Sequence, residues 1–158
     1  MRRIHFFQRA AIKSCFTRAA APALWYNKAN NRQEEKSMML KMPTHCGDDT
    51  CSSCVVAGDF IFLAHHGGGQ DREDIVHQTR ATLESMAHTL STVGATLDDI
   101  VQLNYYIKNV SDFRKGADVF REYFKNGAPA RMTVVTEFIG PTCVCQMDGI
   151  AYKPQKAK

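Results

Sequence analysis

Arg131 is the residue best placed in this chain, by type and spacing, to hold a small anion. It stands in the stretch Gly127-Ala128-Pro129-Ala130-Arg131-Met132-Thr133-Val134-Val135. Pro129 forces an extended entry, and the β-branched run that follows reads as a strand, so Arg131 falls at the mouth of that strand. No acidic residue lies within five positions on either side. A guanidinium without a local partner is shaped to grip a carboxylate through two parallel hydrogen bonds. The plainer reading of the local pattern, a surface or ion-paired arginine, is outweighed only by the C-terminal half taken as a whole.

The other reactive residues point less clearly. The chain has six cysteines: Cys15, Cys46, Cys51, Cys54, Cys143 and Cys145. No secretory signal is evident, so they are not read as a disulfide framework. Cys51-Ser52-Ser53-Cys54 is a C-x-x-C, but a zinc knuckle wants a second ligand pair, and Cys143-x-Cys145 is too closely spaced to be the usual one. A redox C-x-x-C wants a helix N-terminus, whereas a strand follows here. Small buried cysteines, with no metal or cofactor bound, are the expectation. His65 and His66 are adjacent on a strand and point to opposite faces, which makes them a poor metal pair. The glycines after them, Gly67-Gly68-Gly69, lack the Lys-Ser/Thr of a phosphate loop and read as a flexible turn.

The elements that must position these residues follow from periodicity. Val55 to Ala64 reads as one largely buried strand with a turn or bulge at Gly58-Asp59. Asp71 to about Val93 is a helix: acidic residues open it, Ile75, Thr79, Leu83, Met86, Leu90 and Val93 keep helical spacing, and Gly94 closes it. Leu97-Asp98-Asp99 turns into a strand over Val101–Ile107. Ser111 caps a second helix, whose stripe is Phe113, Ala117, Phe120 and Phe124 and which Gly127 ends. Met132–Phe138 and Cys143–Tyr152 are strands, the last with Val144, Gln146, Asp148 and Ile150 on one face. The order is strand, helix, strand, helix, strand, strand. This predicts an α+β fold in which two helices pack on one face of a mixed β-sheet. The other sheet face is also apolar, and burying it against further copies of the chain is the simple solution.

Composition sets the outer limits. The chain has 158 residues and is 44% hydrophobic, enough for one domain with a core. No apolar run approaches the ~20 residues that span a bilayer. The formal charge of +4 misleads. Residues 1–33 carry seven Lys/Arg and no Asp or Glu, while the remainder carries 13 basic and 16 acidic residues. The leader has the basic, acid-free, amphipathic composition of a mitochondrial presequence. We expect residues 1–37 to be presequence and linker, 38–153 a single domain and 154–158 a basic tail. The acidic body argues against nucleic acid as a partner, since phosphate binding needs a basic face.

The order of elements carries several local matches. They are Gln78-Thr79-Arg80-x-x-Leu83, Gly94-Ala95-x-Leu97-x-Asp99-Ile100-Val101, Asp112-Phe113, Tyr123-Phe124, Pro129-Ala130-Arg131 and Ile150-Ala151. Together they resemble the Rid family of YjgF-type reactive intermediate deaminases, also called the L-PSP endoribonuclease family, over about residues 50 to 153. The resemblance implies the YjgF, or chorismate-mutase-like, fold in a homotrimer with clefts between subunits. It implies that Arg131 holds the carboxylate of a small enamine or imine acid such as 2-aminoacrylate, which water hydrolyses to a keto acid and ammonia without a cofactor. Arg131 and Gln146 are then the expected catalytic residues, and Arg131, Thr133, Cys51, Ala64 and His65 the expected substrate contacts.

The chain departs from the family pattern where water is handled. The family's substrate-covering tyrosine aligns with Cys51, its Ser-Gly-Gln with Ala64-His65-His66, and its last-strand glutamate with Gln146. An amide orients a water but does not take its proton at neutral pH. The resemblance therefore predicts ligand binding more strongly than turnover. Beside the deaminase reading stands a non-catalytic trimer that senses a ligand or serves as a subunit of a mitochondrial assembly. A ribonuclease or translation inhibitor is disfavoured by the acidic body and by the lack of a His/Lys constellation.

Overall fold

The computed structural model describes residues 39–154, so the expected presequence and linker and residues 155–158 of the tail lie outside the described part. The first helix, α1 (Ile75–Thr92), buries Ile75, Gln78, Thr79, Thr82, Leu83, Met86, Thr89 and Leu90 on one stripe. The Asp74 side chain caps its first turn by accepting from the His77 N–H at 2.7 Å. At its other end Gly94 has φ +74°, and Ala95 N–H returns to the Leu90 carbonyl at 2.9 Å. That closure satisfies carbonyls the helix leaves open, and glycine adopts it without a Cβ penalty.

Six strands form one sheet in the order β1-β2-β3-β6-β4-β5. They are β1 (Met39–Pro43), β2 (Ser52–Ala57), β3 (Phe60–His66), β4 (Ile100–Ile107), β5 (Ala130–Val135) and β6 (Cys145–Tyr152). Neighbours run antiparallel except β4 and β5, which are parallel and joined through the second helix, α2 (Phe113–Tyr123). The sheet is therefore mixed, and the α+β expectation holds.

The expected order of elements is corrected at two points. The apolar run Val55–Ala64 is not one strand: Gly58, at φ +60°, turns it into the β2–β3 hairpin. A positive φ at Gly-Asp suits a tight hairpin turn and breaks what looks like a continuous strand. The start of the expected domain, to which no element was assigned, is strand β1, with Leu40 opposite Val56 and Met42 opposite Cys54. Strand ends move as well. β5 stops at Val135 rather than Phe138, and β6 begins at Cys145 because the Val144 N–H is taken by the Gln78 side chain at 2.8 Å. The second helix is opened by a short 3-10 turn, Val110–Asp112, rather than by a Ser111 cap.

Both helices cover the same sheet face. Leu83, Met86 and Leu90 from α1 and Val119 and Phe120 from α2 join Ile61, Leu63, Leu103, Tyr105, Ile107 and Met147 in one core. Tyr105 is the hinge of this packing. Its hydroxyl meets that of Thr79 at 2.8 Å, and its ring meets Phe120 edge-on at 5.3 Å. The opposite sheet face carries no helix among the described residues. Met39, Phe60, Phe62, Met132, Val134 and Tyr152 are exposed there.

Gly67-Gly68-Gly69 is more than a flexible turn. A Cβ on Gly68 would stand 2.7 Å from the backbone of Ala81, so glycine is what lets this loop lie against α1.

Candidate functional site

Alternation along β5 decides where Arg131 points. In the parallel ladder Arg131 is level with Leu103, Thr133 with Tyr105 and Val135 with Ile107. Those three β4 residues are buried under the helices. Arg131 and Thr133 therefore point to the helix-covered face, at the open edge of the sheet. The Arg131 guanidinium lies over the Phe120 ring, 4.5 Å from its centroid, and 5.9 Å from that of Phe113. Such contacts contribute roughly 0.5–2 kcal/mol. Burial against these rings, with the like charge of Arg114 adding to it, holds the guanidinium below its ordinary pKa. Among the described residues no carboxylate pairs with it, whereas Arg80 binds Glu122 at 2.7 Å and Arg121 binds Asp118 at 3.4 Å. Arg131 and Thr133 line a cavity of about 380 Å³ with Ile107, Val110, Phe113 and Val135.

Gln146 belongs to the other face. It is level with Tyr106 on β4, on the side away from the helices. With His65, Tyr106, Thr136, Glu137 and Asp148 it lines a second cavity, of about 410 Å³. Asp148 accepts from Asn104 Nδ2 at 2.7 Å and from the Tyr106 hydroxyl at 2.8 Å, so both its oxygens are engaged. That hydrogen bond to Asp148, helped by burial, raises the pKa of Tyr106. Glu137 is exposed and its carboxylate has no partner among the described residues. Neither Tyr106 nor Glu137 stood out in the sequence. Tyr106 was legible only as the polar partner in the β4 alternation, and Glu137 lies beyond the true end of β5.

Cys51, Ala64 and His65 meet in a third cavity, of about 220 Å³, with Thr44, His45, Cys46 and Asp48. His65 is shared by the second and third cavities. The expected site residues thus form two groups. Cys51, Ala64, His65 and Gln146 are linked through His65, while Arg131 and Thr133 stand apart on the opposite sheet face. One chain does not assemble them into a single cleft.

The histidine and cysteine motifs resolve by burial. His65 is exposed, while His66 is buried at 5% exposure. His66 Nδ1–H donates to the Ala64 carbonyl at 2.7 Å, so its Nε2 accepts from the Thr89 hydroxyl at 2.8 Å. His45 Nε2 reaches the same hydroxyl at 2.9 Å and donates to it. Cys54 is buried and Cys51 exposed, so the C-x-x-C does not converge. Cys143 and Cys145 are buried as expected, with burial pushing the Cys145 thiol up to about 11. Cys46 and Cys51 depart from that expectation and face solvent.

Burial, with smaller effects from His45 and His65, lowers the pKa of His66 against the opposing Ala64 carbonyl. The folded chain therefore keeps His66 neutral while the unfolded chain protonates it below pH about 6.5. The unfolded state binds more protons in that range, so stability is full above it and falls as pH drops toward the folded pKa. Thermal melts from pH 7.5 to 5 should show the melting temperature falling below pH 6.5. His66→Gln should flatten that slope, and an unchanged slope would contradict the assignment.

A family model described as Endoribonuclease L-PSP matches residues 50–153. The chain belongs to this family. A RutC family protein of Pyrococcus abyssi is 33% identical over 108 residues, covering 65% of this chain and 85% of that one. Protein mmf2, mitochondrial, of Schizosaccharomyces pombe is 29% identical, covering 61% and 82%. A 2-iminobutanoate/2-iminopropanoate deaminase of Dermatophagoides farinae is 29% identical, covering 52% and 70%. Among solved structures, a yjgF family member from Streptococcus pyogenes superimposes with a TM-score of 0.67 at 29% identity, covering 75% of this chain and 98% of that one. The fold is that of the YjgF proteins, and one of these relatives is named a deaminase of 2-iminobutanoate and 2-iminopropanoate.

Proposed function

We propose that the protein is an enamine/imine deaminase that works as a homotrimer, each cleft lying between two chains. The observation that carries this reading is the Arg131 guanidinium, which lies over Phe120 at the edge of a cavity with no carboxylate partner among the described residues. It supplies two parallel donors to a carboxylate in a partly dry setting, where a charge-assisted pair is strongest. A 2-imino or 2-enamine acid offers that carboxylate next to the carbon that water attacks.

The second group of site residues completes the cleft from the neighbouring chain. Its uncovered apolar sheet face is what a second copy would bury, and a closed ring of identical contacts is the ordinary outcome. Gln146 orients the water. It does not accept the proton, so the unpaired Glu137 carboxylate in the same cavity takes that role. An enamine first moves a proton from nitrogen to its β-carbon and becomes the imine. Water then adds to the imine carbon, its proton passing by way of Glu137 to the nitrogen, and the resulting carbinolamine expels ammonia as its hydroxyl becomes the keto C=O. The basic, acid-free leader and the likeness to the mitochondrial mmf2 protein support a mitochondrial location.

Subunit mixing tests this arrangement. Arg131→Ala and Gln146→Leu chains should each release little ammonia from freshly generated 2-aminoacrylate. Refolded together, they should recover activity, because mixed trimers contain clefts built from the two intact halves. Each chain alone should scatter light as a trimer. No recovery from a mixed trimer would place the site within one chain, and a monomer at micromolar concentration would remove the proposed cleft.

A further inference from the structure

The β1–β2 loop holds the two exposed cysteines among the described residues, and the mechanism proposed above uses neither thiol as a nucleophile. The loop is short, because Pro43 and Ser52 are already paired across the two strands. It is also ordered by its own hydrogen bonds. The Thr44 hydroxyl donates to the Asp48 carbonyl at 2.8 Å, and Asp48 Oδ1 accepts from the Thr50 N–H at 2.8 Å and from the Thr50 hydroxyl at 2.6 Å. Asp48 reaches Cys51 directly, its Oδ2 accepting from Cys51 Sγ at 3.8 Å. Both cysteines line the 220 Å³ cavity that also holds Ala64 and His65.

We propose that Cys46 and Cys51 are a peroxide-reactive thiol pair that closes to an intramolecular disulfide across the β1–β2 loop, at the mouth of this cavity. The two sulfurs have different surroundings and so different roles. The Asp48 backbone, and after it the Thr44 side chain, favour the Cys46 thiolate and lower its pKa. Cys51 has a small burial cost and an adjacent carboxylate, which keep it a thiol. A solvent-accessible thiolate beside a second thiol is the arrangement that oxidises reversibly rather than running on to higher acids.

The chemistry balances with one equivalent of a hydroperoxide. The Cys46 thiolate attacks the peroxide O–O bond and becomes a sulfenic acid, and the leaving oxygen departs as water or alcohol after taking a proton. Cys51 then attacks the Cys46 sulfur and releases its thiol proton. An S–S bond forms, the S–O bond breaks, and the hydroxide leaves as water with that proton. Two thiols are oxidised by two electrons and the peroxide is reduced. The pair needs neither Arg131 nor Gln146, so it stands independently of the deaminase reading.

The test uses the full-length protein and hydrogen peroxide. At neutral pH, Cys46 should alkylate with iodoacetamide at least tenfold faster than Cys51. One equivalent of peroxide should leave the peptide that contains both residues two hydrogens lighter, with fragment ions placing the bridge between Cys46 and Cys51 and dithiothreitol reversing it. Cys51→Ser should stop at a Cys46 sulfenic acid trapped by dimedone, and Cys46→Ser should leave Cys51 reduced at the same dose. Equal alkylation rates, a bridge to Cys54, a link between chains, or both thiols still alkylatable after peroxide would each overturn the proposal.

Discussion

Arg131→Ala should weaken binding of a keto-acid product such as pyruvate by at least tenfold, measured by titration calorimetry. A bidentate, charge-assisted pair in a partly desolvated cleft is worth about 2–5 kcal/mol on truncation. The structure adds a reason why lysine is no substitute. The guanidinium lies over the Phe120 ring and near that of Phe113, and both rings limit where its donors sit. An ammonium lacks both the plane and the second parallel bond. Arg131→Lys should therefore recover only part of the loss. Equal affinity in wild type and Arg131→Ala would remove the small-ligand reading and leave an interaction protein in its place.

Gly116→Val should cost the fold about 1–3 kcal/mol, the range for overpacking a filled core. A Cβ at Gly116 would run into the Tyr105 hydroxyl, and the Ile75 side chain closes the other side at 3.0 Å. Tyr105 cannot step aside, being fully buried with its hydroxyl on Thr79. Tyr105→Val alone should also destabilise, because it opens a cavity and leaves the Thr79 hydroxyl without that partner. The double variant should be more stable than the sum of the two losses predicts, by about 1 kcal/mol or more, since each change makes room for the other. Strict additivity in urea denaturation would show that the two positions do not share this space.

That pair shows what the sequence could and could not reveal. The stripe on α1 was legible because Ile75, Thr79, Leu83, Met86 and Leu90 recur at helical spacing, and Gly94 announced its end. The Tyr105–Gly116 fit was not, since it depends on how a strand and a helix meet in space. Strand β1 escaped notice because an edge strand with four of its five residues exposed shows no clean alternation. Gly58-Asp59 was visible as an irregularity, but periodicity alone does not tell a bulge from a hairpin. The site was half legible in the same sense. Arg131 stood out by its lack of acidic neighbours. Its placement on the face opposite Gln146 follows from the β4 ladder, which no local spacing encodes. Glu137 and the bridge from His45 to His66 through Thr89 depend on long-range packing and left no local signal.

The measurement that bears most directly on function is ammonia release from 2-aminoacrylate, generated in place by a pyridoxal-phosphate dehydratase acting on serine. A chain truncated to begin at Met38 should accelerate release well above spontaneous hydrolysis, with Arg131→Ala close to the uncatalysed rate. Glu137→Gln should lower kcat more than it changes KM, because the lost group acts on the water rather than on the carboxylate. Ammonia released at the same rate with and without the folded wild-type protein would contradict the deaminase account.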